Sequence, residues 1–225
     1  MELNKYIDHT NLKAYATKKD IKKLCEEAIK YKFASVCVNP CYVELAVSLL
    51  KNTNINVCTV IGFPLGMNNV RTKEYEAIVA IEDGAREIDM VINIGALKDK
   101  DYDYIKEEIE SVRDAIDGHV LKVIIETCYL TDEEIIKMTE ICNETFVNFI
   151  KTSTGFGSRG ASVHDIELIN NNKNELLEIK ASGGIKDLKT VEAMITAGAT
   201  RLGTSNSVEI MTEEIEHNCC EKESE

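Results

Sequence analysis

Short runs of β-branched and other apolar residues alternate along the chain with longer segments that carry apolar residues every three or four positions. The short runs are typical of buried β-strands, and the longer segments are typical of amphipathic helices. Eight strands are predicted in this way, at residues 6–10 (YIDHT), 34–38 (ASVCV), 56–63 (NVCTVIGF), 86–93 (REIDMVIN), 120–126 (VLKVIIE), 146–151 (FVNFIK), 176–180 (LLEIK) and 200–205 (TRLGTS).

Capping signals indicate where several of the intervening helices begin and end. Thr17 precedes the first periodic segment, and the T-x-x-E sequence at 131–134 forms a capping box. The S-x-x-D sequence at 162–165 resembles a second box, and Gly198 follows the apolar positions of a late segment as a C-terminal stop. Strands and helices are therefore predicted to alternate through the whole chain.

This alternation predicts a parallel sheet, because parallel neighbours need a crossover connection that is usually a helix. Eight repeats in 225 residues favour an α/β fold of the (β/α)8 TIM-barrel type over an open sheet. We predict a single barrel domain at 1–212, followed by an acidic C-terminal tail at 213–225.

The composition limits the partners that this barrel can have. Lys and Arg number 26 against 39 Asp and Glu, and the resulting net charge of −13 disfavours binding to nucleic acid or to anionic membranes. The chain has no apolar run long enough to span a bilayer, and its N-terminal residues lack the pattern of a secretory signal. A cytoplasmic protein is therefore expected, in which an anionic ligand would need a locally positive pocket. A homodimer is compatible with the sequence.

The cysteine and histidine residues do not have the spacing of a metal site. The 4 histidines are scattered singly, and the C-x3-C sequence at 37–41 has no second ligand pair at zinc spacing. We therefore predict no metal and reduced thiols at all 8 cysteines, which are residues 25, 37, 41, 58, 128, 142, 219 and 220.

Two lysines lie at the ends of apolar strands, where a lysine is rarely buried unless it is paired or functional. Lys151 and Lys180 occupy equivalent places in successive strand–helix units and should be neighbours at the catalytic end of a barrel. A nearby ammonium and burial both disfavour protonation of a lysine, which would provide a nucleophile for Schiff-base chemistry. Pairing with a buried acid such as Asp89 or Glu178 is the alternative interpretation.

Two further charged residues lie within predicted strands. Lys122 competes as a nucleophile, but its place near the start of its strand favours a structural position at the opposite end of the barrel or facing the helices. Asp89 is embedded in EIDMVIN, where it could transfer protons or form a salt bridge to one of the lysines.

Two glycine-containing loops follow the last two predicted strands. Gly183 and Gly184 lie in ASGGIKD, and Gly203 and Ser205 lie in LGTSNS. The loops after strands seven and eight of a barrel often bind phosphate through backbone N–H groups near helix starts. A phosphate site is therefore one interpretation, and a pair of ordinary turns is the other.

A third glycine cluster matches a different motif. Gly155, Gly157 and Gly160 have the spacing of a dinucleotide-binding loop, and Glu175 stands about 20 residues further on, as a ribose-binding acid would. The strand before this loop lies in the middle of the chain, and Glu175 is predicted to lie in a loop. A nicotinamide-dependent oxidoreductase is accordingly kept as an alternative.

Several motifs together closely resemble the deoxyribose-phosphate aldolase family of class I, (β/α)8-barrel aldolases. The resemblance extends over nearly the whole chain through IDHTNLKA, SVCVNP, TVIGFPLG, EIDMVINIGALK, LKVIIET, FIKTSTGFG, IKASGGIK and AMITAGATRLGTS. It implies a lyase that reversibly cleaves 2-deoxy-D-ribose 5-phosphate, a small phosphorylated sugar, to acetaldehyde and D-glyceraldehyde 3-phosphate in deoxyribonucleotide catabolism. It also implies that the enzyme uses no metal and no organic cofactor. A sugar-phosphate-binding barrel without catalysis is a further alternative.

The resemblance also implies roles for individual residues. The Schiff-base lysine falls on Lys151, the second lysine that tunes it on Lys180, and the proton-relay aspartate on Asp89. The phosphate-binding positions fall on the Gly183–Gly184 loop and Ser205, and the supporting pocket positions fall on Asp8, Thr10 and Cys37.

One departure from the family concerns the C-terminus. Many relatives end in a Tyr that assists proton transfer, whereas here no Tyr follows Tyr129. Another group must supply that assistance, or turnover is slower.

Overall fold

Eight strands form the centre of the molecule in a computed structural model that describes the backbone of residues 2–222 and the side chains of residues 2–217. Each strand overlaps a segment for which the sequence pattern predicts one, although β1 extends one residue and β7 two residues past the predicted ends. The strands are β1 (Ile7–Asn11), β2 (Ser35–Val38), β3 (Asn56–Ile61), β4 (Glu87–Val91), β5 (Val120–Ile124), β6 (Phe149–Lys151), β7 (Glu178–Ser182) and β8 (Arg201–Thr204).

Helices follow every strand. They are α1 (Lys18–Tyr31), α2 (Val43–Leu50), α3 (Val70–Glu82), α4 (Ile94–Lys98), α5 (Tyr102–Ala115), α6 (Asp132–Glu144), α7 (Val163–Asn172), α8 (Leu188–Ala197) and α9 (Ser207–Lys222). The predicted caps are confirmed, because Thr17, Thr131 and Ser162 form capping boxes at the starts of α1, α6 and α7. Gly198, with φ of 122°, ends α8.

The strands pair in parallel and in chain order, and β8 closes the sheet against β1. The predicted (β/α)8 barrel is therefore confirmed. Helix α9 runs continuously through residues 212 and 213, where the sequence predicts the division between barrel and tail, so that division stays a prediction. No helix among the described residues has the length and apolar character that a bilayer crossing needs.

The alternation of side chains along each strand separates two interiors. In β4, Ile88 and Met90 join the apolar core between the strands and the helices, whereas Glu87 and Asp89 contact charged partners from other strands. The same alternation in β5 places Leu121 and Val123 in the apolar core. In these two strands the side chains that face the helices are apolar, and charged side chains face the barrel interior.

Candidate active site

Seven charged side chains from six strands meet inside the barrel. Three are acids and four are cations, and six of the seven are at most 3% exposed while Arg201 is half-buried. We call this set the interior cluster, and its members are Asp8, Glu87, Asp89, Lys122, Lys151, Lys180 and Arg201.

Asp89 is the centre of the interior cluster. Lys151 Nζ and Lys180 Nζ each lie 2.7 Å from Asp89 Oδ2, so the two ammonium groups share one carboxylate oxygen. Lys122 Nζ donates to the other oxygen, Oδ1, at 2.9 Å, and Cys58 Sγ donates to the same oxygen at 3.1 Å. Lys151 and Lys180 are therefore neighbours, as the sequence predicts, and Asp89 pairs with both.

The other two acids of the interior cluster, Asp8 and Glu87, also pair with its cations. Asp8 lies 2.6 Å from Lys180 Nζ and 2.7 Å from Arg201, and it accepts a hydrogen bond from the Ser35 hydroxyl at 2.7 Å. Glu87 lies 2.6 Å from Lys122 Nζ. Lys180 therefore faces two carboxylates, and Lys122 faces three, with Asp8 the furthest from it at 4.0 Å.

The contacts determine the ionisation of the interior cluster. Burial by itself opposes ionisation of Asp89, but the ammonium groups of Lys122, Lys151 and Lys180 outweigh it and hold the pKa of Asp89 well below its usual range. Burial likewise opposes protonation of Lys180, yet Asp8 and Asp89 raise its pKa above the usual value. The resting site thus contains an ionised Asp89 beside a protonated Lys180.

Strand register explains how the cluster forms. Asp89 lies opposite Lys122 on β5, and Lys151 lies opposite Lys180 on β7. Phe149 is the residue of β6 opposite Lys122, so Lys151 is two residues closer to the carboxyl end of the barrel. Of the two positions expected for Lys122, the one facing the helices is wrong, because its side chain points inward and pairs with Asp89 and Glu87. Lys122 does lie deeper in the barrel than Lys151, further from the carboxyl end.

A cavity of about 480 Å³ opens above the cluster at the carboxyl ends of the strands. Lys151 is the member of the interior cluster that also lines the cavity, so it connects the buried charges to the opening. Asp8 and Cys37 were expected to line it and do not, because both are fully enclosed beneath it. The other sequence-predicted residues in its wall are Thr10, Gly183, Gly184, Gly203 and Ser205.

The glycines of the last two loops have separate physical roles. Gly183 and Gly184 have φ of 79° and 77°, a left-handed conformation that disfavours other residues. A Cβ at Gly203 would lie 3.2 Å from Lys180 Cε, so glycine leaves the space that the lysine side chain occupies. These loops form the wall of the cavity nearest to β7 and β8.

The glycines of the dinucleotide-like motif are explained by packing. A Cβ at Gly160 would meet the carbonyl of Gly183 at 2.0 Å, and one at Gly157 would meet Cys128 Sγ at 2.6 Å. The segment thus lies against the neighbouring loops, and a capping serine separates it from α7. Glu175 is exposed in the loop before β7, as predicted.

Two features near the cavity were not predicted from the sequence. His9 accepts or donates hydrogen bonds at 2.9 Å with both Glu27 of α1 and Ser207 of α9, because its place on β1 points it outward. Glu126 accepts hydrogen bonds from the backbone N–H and hydroxyl of Thr154 and fixes the loop that follows Lys151. His9 follows the inward-pointing Asp8, and this alternation is the signal that could have identified it.

Known proteins resemble this chain over almost its entire length. The profile of the family described as DeoC/LacD family aldolase matches residues 3–210. A protein of Finegoldia magna named deoxyribose-phosphate aldolase is 57% identical over 211 residues, which cover 94% of this chain and 99% of that protein. One of the same name from Caldanaerobacter subterraneus subsp. tengcongensis is 54% identical over 216 residues, covering 95% of this chain and 94% of that protein.

Solved structures of aldolases are also similar to this chain. A structure described as "QR15, an Aldolase" is 42% identical, with a TM-score of 0.93 over 98% of this chain and 99% of that one. A deoxyribose phosphate aldolase from Aeropyrum pernix, described as having a unique tetrameric structure, is 29% identical, with a TM-score of 0.87 over 93% of this chain and 89% of that one. The chain belongs to the DeoC/LacD family of aldolases.

Proposed function

We propose that this aldolase cleaves 2-deoxy-D-ribose 5-phosphate to acetaldehyde and D-glyceraldehyde 3-phosphate through a Schiff base on Lys151. The observation that carries the proposal is the position of Lys151, which lines the cavity and also lies 2.7 Å from Asp89 Oδ2. Identity above 50% to proteins named deoxyribose-phosphate aldolase supports the choice of substrate.

The proposed reaction begins when Lys151 passes a proton to Asp89. The neutral amine of Lys151 then attacks C1 of the open-chain sugar. Loss of water gives an iminium ion, which accepts the electron pair of the C2–C3 bond as the C3 hydroxyl loses its proton. D-Glyceraldehyde 3-phosphate then leaves. The enamine takes a proton at C2, and hydrolysis releases acetaldehyde and regenerates the lysine.

Asp89 and Lys180 are proposed to move the protons in this sequence. Asp89 contacts both lysines through one oxygen, so a proton can pass between them by a short path.

The phosphate is proposed to bind at the part of the cavity wall that follows β7 and β8. Gly183, Gly184, Gly203 and Ser205 line that part, and Lys186 adds a positive charge there. Backbone N–H groups near helix starts favour anions, and α9 begins two residues after Ser205. The locally positive pocket that an acidic protein needs would thus lie at β7 and β8.

Trapping of the Schiff base tests the assignment. The enzyme is incubated with 2-deoxyribose 5-phosphate and sodium borohydride, and the adduct is located by peptide mass spectrometry. We expect one adduct on Lys151 and none in Lys151→Ala, whereas Lys122→Ala should still be labelled. An adduct on Lys122, or no adduct with turnover intact, would reject the mechanism.

The oxidoreductase alternative is tested separately. NAD or NADP at millimolar concentration should leave the melting temperature unchanged if the glycines at 155–160 serve only packing.

We also infer a cytoplasmic enzyme, supported by the six free cysteines among the described side chains and by a phosphorylated substrate. A homodimer is the proposed assembly, which light scattering distinguishes from a monomer or a tetramer.

A further inference from the structure

Two cysteines lie beneath the proposed catalytic lysine without a part in the mechanism. Cys37 of β2 and Cys58 of β3 are opposite each other in the strand register, and both are enclosed within the barrel. The sequence separates them by a full strand–helix unit, so only the strand pairing brings them together. Their side chains pack with Leu12, Val60 and Phe63.

Cys58 connects this pair to the interior cluster. Its Sγ donates to Asp89 Oδ1 at 3.1 Å and accepts from Lys122 Nζ at 3.3 Å. One ligand atom from each of Cys37, Cys58 and Asp89 lies within 4.8 Å of the others. Among the described residues, this is the one group of three such side chains with ligand atoms so close together.

We propose that Cys37, Cys58 and Asp89 form a binding site for a thiophilic divalent cation such as Zn²⁺ or Cd²⁺, and that occupation of this site inhibits the enzyme. Tetrahedral zinc with sulfur at about 2.3 Å and oxygen at about 2.0–2.2 Å separates its ligand atoms by roughly 3.5–3.8 Å. The observed separations therefore need only small side-chain movements. Two thiolates and one carboxylate are a donor set that suits zinc and cadmium.

The charge balance permits a cation among the ammonium groups. On binding, the divalent metal replaces the two thiol protons, which are released to solvent. The net charge of the three side chains with their two protons is minus one, and that of the same side chains with the metal is also minus one. Lys122, Lys151 and Lys180 therefore still face a negative group. One position on a tetrahedral metal remains for water.

Inhibition would arise because the metal removes Asp89 from its present contacts. The oxygen beside Cys58 is Oδ1, so coordination there displaces Lys122 from that oxygen. The metal also draws electron density from the carboxylate and weakens the hydrogen bonds that Oδ2 accepts from Lys151 and Lys180, which the proposed proton transfers require. This part of the inference rests on the proposed function, whereas the binding of the metal does not.

Cadmium titration provides the test, with thiolate-to-cadmium ultraviolet absorption as the direct readout. Because adjacent cysteines also stand at 219 and 220, the full-length chain carries Cys219→Ser and Cys220→Ser in every measurement, with a phosphine reductant present. We expect one Cd²⁺ per chain, loss of turnover in parallel with the absorption, and reversal of both by a chelator.

Single variants locate the ligands. Cys37→Ser and Cys58→Ser should each weaken cadmium binding by at least roughly tenfold, since loss of an outer-shell partner alone costs that much. Cys41→Ser is the matched control, because Cys41 is exposed and only four residues from Cys37, and it should bind cadmium as the parent does. Inhibition is scored against each variant's own activity without metal.

Three results would overturn the inference. Unchanged absorption in Cys37→Ser and Cys58→Ser, or its loss in Cys41→Ser, would place the metal elsewhere. Tight binding without loss of turnover would overturn the inhibitory role alone. If the parent chain does not turn over 2-deoxyribose 5-phosphate, the proposed function fails, but the absorption still decides whether the site exists.

Discussion

Two buried groups of charged residues in this protein have pKa values shifted in opposite directions. Outside the sheet, Lys73 of α3 pairs with Glu108 of α5, and neither side chain is exposed. Lys73 Nζ also donates to the Val91 carbonyl at 2.7 Å, and Glu108 accepts from the Asn93 N–H at 2.9 Å. The pair thus joins two helices to the carboxyl end of β4, close to the cavity but outside the barrel.

Burial dominates in this isolated pair. Loss of hydration lowers the pKa of Lys73 and raises the pKa of Glu108, although each group faces an opposite charge. In the interior cluster the balance reverses, and the pKa of Lys122 is raised while that of Asp89 is lowered, despite burial that is at least as complete. Direct ion pairs explain the difference, because Lys73 contacts the carboxylate of Glu108, whereas Lys122 contacts those of both Glu87 and Asp89.

The comparison shows why a reactive site is built from several charges. A single pair can share a proton and become neutral, which suits a structural contact between helices. Asp89 faces three ammonium groups and stays ionised, so a proton that reaches it is readily passed on. Only the cluster with several partners lies beneath the cavity.

The largest expected effect is a difference in catalytic activity between a variant of the interior cluster and a variant of the Lys73–Glu108 pair. Asp89→Asn should lower kcat on 2-deoxyribose 5-phosphate by about 10²–10⁴-fold, because a positioned proton-transfer group contributes that much. Steady-state kinetics with circular dichroism as the folding check measures this effect. Glu108→Gln is the control and should stay within a few-fold of the parent. A comparable loss in Glu108→Gln would contradict the separation of roles.

A second prediction compares the two sites by stability. Lys122→Met removes the ammonium group that contacts both Glu87 and Asp89, two buried carboxyl groups, and should cost about 3–5 kcal/mol of the free energy of unfolding. Lys73→Met should cost less, about 1–3 kcal/mol, because Glu108 already takes up a proton readily. Urea unfolding at neutral pH measures both, and equal costs would show that the number of partners does not matter.

The fold could be predicted from the sequence because it depends on local patterns. The capping boxes at Thr17, Thr131 and Ser162 and the stop at Gly198 each act within one turn of helix, so their sequence signals suffice. The site was predicted in part for the same reason, since Lys151 and Lys180 lie at corresponding ends of consecutive strands. Their positions follow from the topology alone.

The orientation of side chains across the barrel could not be predicted in this way. The inward direction of Lys122 depends on the register between β4 and β5, and the enclosure of Asp8 and Cys37 depends on how the strands tilt. The contacts of Arg201 with Asp8 and Glu87 join strands that are distant in the sequence. Such contacts are set by closure of the sheet, for which a single sequence carries no local signal.

The smallest expected effect concerns a third buried group, His9, which pairs with Glu27. Burial lowers the pKa of His9 below its ordinary value of 6.5, against the opposing effects of Glu27 and Glu209, so His9 behaves like the isolated pair. Below pH 6.5 the unfolded chain binds a proton that the folded chain does not. The free energy of unfolding should therefore fall as the pH falls from 6.5 toward the folded pKa, by up to about 1.4 kcal/mol per pH unit.

Urea unfolding between pH 7.5 and 5 measures this dependence as the difference between the parent and His9→Gln, which should lack it. His164→Gln is a matched control of opposite sign, because the hydrogen bond to Asp132 raises the pKa of His164. Its stabilisation is present below pH 6.5 and is lost as the pH rises through the folded pKa. If His9→Gln instead shows the larger loss at acid pH, His9 is held protonated by Glu27, and one buried partner is enough to outweigh burial.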